Sequence, residues 1–291
     1  MKTKNGTTIC SLQDLTFPVE VIDNPNKTNR EYSKIVRGIV DNQEIDLNYC
    51  SPVYQLVPNE TIFPKVEEIF RENGISFSAQ YSHTNHVRFY GNYIIEDPRF
   101  MYKMNGSTKD EIKFIWNFQH SYNEITKYKG LCGFYRLVCT NGLTIPVSEM
   151  KEYNLFLEGK HTSSILRSLE MFNQILLNLI NDLSTVKTAI TNKYEILGGK
   201  WVAKPEDRIK EVLTANNIKI VENSKFNTVQ NILTRINNEA NDSTLGYNGG
   251  VNNWLIYNGI NQYINDNTLN IASPEKRRET DNRVLEYMLK H

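Results

Sequence analysis

The chain has 291 residues and a mass of 33.8 kDa, and its 33 Lys and Arg are balanced by 33 Asp and Glu, so the formal net charge is zero. A uniformly basic nucleic-acid coat protein is excluded; a local basic patch is not. With 40% hydrophobic and 23% charged residues the composition is that of a soluble globular protein, and no apolar run nears the ~20 residues of a membrane span.

Residues 1–44 read as an irregular lead-in. Pro18, Pro25 and the polar stretch from Asp23 to Arg30 break any period, and the lysines at the start have no apolar run behind them, so no secretory signal is expected. Tyr54, Leu56 and Val57 suggest a short strand ended by Pro58. Ile62, Phe63, Val66, Ile69 and Phe70 then recur at helical spacing, with Asn59 or Thr61 available as cap and Asn73-Gly74 as stop.

Residues 75–96 suggest a β-hairpin. With Thr84-Asn85 as its turn, His83 pairs with His86, Tyr81 with Arg88 and Ala79 with Tyr90, and period-two alternation gathers these on one face. A second strand pair follows: Phe114, Trp116, Phe118 and Tyr122 alternate, a loop carries Lys127 and Lys129 around Tyr128, and the run through Arg136 reaches the Asn141-Gly142 turn.

After Met150 the pattern becomes helical. Ile165, Leu169, Phe172, Leu176, Leu179, Leu183, Val186 and Ile190 keep a mean spacing of 3.5 residues and predict one long helix over 160–195. That stripe is either a core face or a seam for self-association. Shorter helices are expected from Pro205, around Val229–Ile236, around Trp254–Ile264 and around Arg283–Leu289. The expected fold is α+β: a small, mainly antiparallel sheet with a packed helix at 45–150, then a helical part at 151–291 that can share its core.

Three segments resemble a known family. They are Ser51-Pro-Val-Tyr-Gln-Leu-Val-Pro-Asn59, Tyr135-Arg-Leu-Val-Cys-Thr-Asn-Gly142, and Asn253-Trp-Leu-Ile-Tyr-Asn-Gly-Ile-Asn-Gln-Tyr263 with nearby Arg277 to Asp281. Together they look like the phage/plasmid-like protein family, domain of unknown function 932, over about residues 45–290. Asn123 stands where that family often has an acid. The resemblance implies a phage, prophage or plasmid setting and a host bacterial cytoplasm, and it implies no reaction. A long helix beside a small curved sheet is also an architectural analogy to phage single-strand annealing proteins.

No catalytic signature is present: no phosphate loop, dinucleotide fingerprint, zinc-protease motif or nucleophile elbow. Cys10, Cys50, Cys132 and Cys139 lack the tight spacing of a zinc site and read as thiols in a reducing compartment. No metal or cofactor is expected. Aromatic rings interleaved with cations can stack bases and hold phosphates, so Tyr81, Arg88, Tyr90, Lys127, Lys129 and Arg136 are the candidate nucleic-acid-binding residues. The leading expectation is a non-catalytic protein of phage or plasmid DNA metabolism that binds single strands, with annealing as one form and a homo-oligomer as one state. The alternatives are a protein-binding factor acting on a host system and an unrecognised hydrolase.

Overall fold

Alternating burial builds antiparallel sheet through the first half of the chain, and 3.6-residue periodicity builds helices through the second, so the fold is α+β. The computed structural model describes residues 7–26, 32–103, 110–123, 128–136, 143–145, 162–223, 226–266 and 274–291. The elements are β1 (Thr8–Cys10), α1 (Leu12–Leu15), β2 (Val19–Asp23), β3 (Lys34–Val40), β4 (Gln43–Cys50), α2 (Asn59–Glu72), β5 (Phe77–Thr84), β6 (Arg88–Ile95), β7 (Met101–Lys103), β8 (Glu111–Ser121), β9 (Lys129–Arg136), β10 (Leu143–Ile145), α3 (Thr162–Gly198), α4 (Pro205–Ala215), β11 (Glu222–Asn223), β12 (Phe226–Asn227), α5 (Thr228–Asn241), α6 (Asn253–Asp266) and α7 (Pro274–Lys290).

The chain forms two compact units. One comprises Met1–Arg99, Ile115–Cys132 and Lys151–Asp182, the other Phe100–Phe114, Gly133–Met150 and Leu183–His291, so the units do not follow the expected boundary at 150. No helix among the described residues is long and apolar enough to cross a membrane.

The first unit contains antiparallel strands in the order β1-β5-β6-β8-β9 and a separate sheet β2-β3-β4. The lead-in is therefore not irregular: β1, α1, β2 and β3 lie within it. Asp41 and Asn42, both at positive φ, turn β3 into β4, a role their short polar side chains tolerate. Tyr54 to Val57, expected as a strand, is a loop without regular structure. Helix α2 starts as predicted, but Pro58 is at its N-cap with no side-chain cap bond. Asn59 is buried instead: its backbone N–H donates to Tyr122 Oη at 2.9 Å and its side-chain amide to the Leu15 carbonyl at 2.9 Å.

The sheet buries one face against α2 and the first part of α3. Phe63 meets Tyr81 edge-on at 6.0 Å, Phe70 meets Tyr93 at 5.5 Å, and Phe172 of α3 packs on Phe70, Trp116 and Phe118 at 5.4, 4.3 and 5.3 Å between centroids. Each such aromatic pair adds about 0.5–1.5 kcal/mol beyond the burial of its area. Gly91 is required beneath α2, because a Cβ there would sit 2.9 Å from Phe63 Cε1.

The expected long helix is α3, and its stripe is covered within the chain. Leu169, Phe172, Leu176, Leu179, Val186 and Ile190 are all buried, and Leu183 is half-buried. The stripe is thus a core face, and these side chains are not free to form a seam with another copy.

In the second unit, α6 is buried from Asn253 to Asn261. Its polar residues are satisfied inside: Tyr257 Oη donates to both carboxylate oxygens of Asp281 at 3.1 Å, Asn261 donates to the same carboxylate, and Asn258 donates to the Trp254 carbonyl at 2.8 Å. Tyr247 Oη donates to Asp110 at 2.7 Å. Most of the third segment behind the family resemblance is therefore core in this unit.

Candidate nucleic-acid interface

Strand register decides which residues share a face. Thr84 pairs with Arg88, Ser82 with Tyr90 and Tyr81 with Gly91, so the hairpin register differs from the expected one by three residues. The chain turns through Asn85 and His86, both at positive φ, and Val87 N–H donates to the Thr84 carbonyl at 3.1 Å. An odd shift moves a strand's side chains to the opposite face relative to its partner. The expected grouping of Tyr81 with Arg88 and Tyr90 is thereby corrected.

Tyr81 belongs to the inner face. It is 6% exposed and its hydroxyl donates to the buried Glu67, which also accepts from Arg71. Tyr93 Oη lies 3.4 Å from Tyr81 Oη. Burial, helped by Glu67, pushes the Tyr81 phenol well above its ordinary range, and burial raises Tyr93 likewise. This cluster ties α2 to the sheet and keeps the Tyr81 ring out of the solvent, with Arg71 the exposed member that covers Glu67. His83 and His86 stack at 4.0 Å without being cross-strand partners, and His86 N–H donates to His83 Nδ1 at 3.2 Å. Burial lowers both imidazole pKa values, and His86 lowers that of His83 further.

Arg88 and Tyr90 belong to the outer face. Along β6 they alternate with the buried Phe89, Gly91 and Tyr93, and Asn92 and Ile94 continue their row. Register aligns Ile9, Ser82, Tyr90 and Gln119 in one cross-strand row and Gln80, Asn92 and Asn117 in the next. None of these residues is buried; Gln80 and Ile9 are exposed. Arg88 forms no ion pair among the described residues. The face thus presents a guanidinium, a phenol ring and four carboxamides, with no carboxylate in either aligned row. Amides offer paired donors and acceptors, which suits the edges of unpaired bases.

The other expected site residues add less. Lys127 lies outside the described residues. Lys129 and Arg136 begin and end β9, where Arg136 pairs with Leu143, but their side chains are outside the described set. Tyr128, between the two lysines, is buried at 1% exposure. Sequence reasoning missed Gln80, Asn92, Asn117 and Gln119. The signal was there: amides alternate with aromatic residues in Trp116-Asn-Phe-Gln119.

No metal centre emerges: among the described residues no group of three or more His, Cys, Asp or Glu is gathered as an ion would need. Cys10 is a free thiol, and burial, with Asp14 nearby, raises its pKa to about 11, which makes it a poor nucleophile. No family model, curated protein or solved structure matches the chain, so the family resemblance rests on its three segments alone.

Proposed function

We propose that the protein binds single-stranded nucleic acid on the outer face of β5, β6 and β8, as a non-catalytic factor of phage or plasmid DNA metabolism in the host cytoplasm, strand annealing being the activity to assay. The observation that carries this reading is the alternation on β6. Its inner residues fill the core, while Arg88, Tyr90 and Asn92 form an unburied row flanked by Gln80, Asn117 and Gln119. A sheet with helices on one face and an aromatic–cation–amide surface on the other can stack a base on Tyr90, hold a phosphate with Arg88 and meet base edges with the amides.

Fluorescence anisotropy with labelled oligothymidylate and oligouridylate at low salt tests it. Arg88→Ala combined with Tyr90→Ala should weaken binding roughly tenfold or more, since one stacked base is worth ~1–3 kcal/mol. Melting should stay near the parent value, because neither side chain belongs to the core. Undetectable binding of both strands ends the reading in favour of a protein partner, for which Ile39, Ile45 and Tyr49 on the β3–β4 hairpin, 46%, 36% and 50% exposed, are apolar surface.

A further inference from the structure

Of the three tryptophans, Trp116 and Trp254 are each 1% exposed, whereas Trp201 is 61% exposed. Leaving an indole in water forfeits the burial that usually makes tryptophan worth carrying. The exposure is not looseness. Trp201 forms an antiparallel bridge with Asn252, Val202 N–H donates to the Val251 carbonyl at 2.9 Å, and Asn253 N–H donates to the Lys200 carbonyl at 3.0 Å. Asn252 is itself held, donating from Nδ2 to the Gly198 carbonyl at 3.0 Å. The ring rests on bare backbone at Gly250, where a Cβ would overlap its Cζ3 and Cε3 atoms. Any other residue at 250 would push the indole away.

The surroundings supply charge. Lys200 and Lys204 flank the ring in sequence, are exposed, and form no ion pair among the described residues. Of the two acids that follow them, Glu206 is engaged by Lys210 at 3.0 Å and Asp207 is exposed. Ile196, 44% exposed, lies one helical turn before Lys200. A flat π surface held from behind, with two exposed lysines within three residues of it in the chain, matches an unpaired base and its adjoining phosphates.

We infer that Trp201, seated on Gly250 and flanked by Lys200 and Lys204, is a base-stacking platform that gives the second unit its own contact with single-stranded nucleic acid. The inference rests on the proposed function and adds a site to it. Because Trp201 is the one exposed indole, tryptophan emission reports on it directly. Titration with unlabelled oligothymidylate or oligouridylate at low salt should quench the exposed component of the emission. Trp201→Phe should abolish the quenching, and Trp201→Ala should weaken binding by roughly tenfold in anisotropy. Lys200→Ala with Lys204→Ala should weaken binding and flatten its salt dependence. The DNA and RNA arms show which strand the platform prefers.

The outcomes separate this inference from the reading beneath it. If labelled strands bind, emission stays unquenched and Trp201→Ala binds like the parent, the platform is refuted and the sheet-face reading stands. If quenching occurs and the Arg88→Ala, Tyr90→Ala variant binds unchanged, the platform stands and the sheet face falls. Absence of binding to either strand refutes both.

Discussion

Buried histidine gives the sharpest test at the residue scale. His120 is 6% exposed, and its Nε2 lies 3.0 Å from the Val57 carbonyl, so the neutral ring carries its proton on Nε2 and donates it. Burial lowers its pKa from 6.5 to about 4. The unfolded chain takes up the proton as pH falls through 6.5, and the folded chain only near 4. Stability present above 6.5 is therefore lost progressively down to about 4, by about 3 kcal/mol from this group. His83 and His86, also lowered by burial, act in the same direction. An NMR titration should find the folded His120 ring neutral until pH nears 4; a midpoint at 6.5 with the fold intact would show that the ring is solvated. None of this was legible beforehand, because His120 has no distinguishing sequence signal and its partner is a backbone carbonyl 63 residues away. Tyr81 was misplaced for a related reason. A two-residue turn at Thr84-Asn85 was expected, but Thr84 pairs with Arg88 across a three-residue loop of Asn85, His86 and Val87, and the resulting odd shift is what puts Tyr81 on the face opposite Arg88 and Tyr90.

Elements were legible in proportion to their length and regularity. Helix α3 repeats its apolar stripe over many turns, and α2, α4, α5, α6 and α7 each show a helical period, so all six were expected close to where they lie. Strands β3 and β4 were hidden because a register shift between Val36 and Arg37 interrupts the alternation and leaves Ile35 and Val36 both buried. The length of α3 invited a reading as an assembly seam; burial of its stripe makes it a core element instead. Phe172→Ala should then cost about 3–5 kcal/mol, the usual penalty for emptying a buried aromatic site, since it strips contacts from Phe70, Trp116 and Phe118 at once. Urea unfolding measures that loss, with light scattering as the control. A seam residue would instead lower the oligomeric state at little cost to the stability of each chain.

For the whole molecule the governing fact is zero net charge. Without a global field, affinity for a polyanion must come from a few local cations and from stacking, and these two contributions respond differently to salt. Counted over both units, Arg88, Lys200 and Lys204 are the cations placed in candidate contacts, and Lys127, Lys129 and Arg136 join them on the reading of the sequence. At about −0.7 per neutralised phosphate of a single strand, the log–log slope of affinity against salt should lie between about −2 and about −4. Tyr90→Ala and Trp201→Ala should lower affinity while leaving that slope unchanged, because stacking releases no counterions. Arg88→Ala should make the slope shallower by about 0.7 as it weakens binding. Anisotropy titrations over a series of salt concentrations read both quantities from the same curves. A slope steeper than about −5 would mean that cations elsewhere on the chain carry the binding, and a Tyr90→Ala variant that changed the slope without changing low-salt affinity would remove stacking from the account.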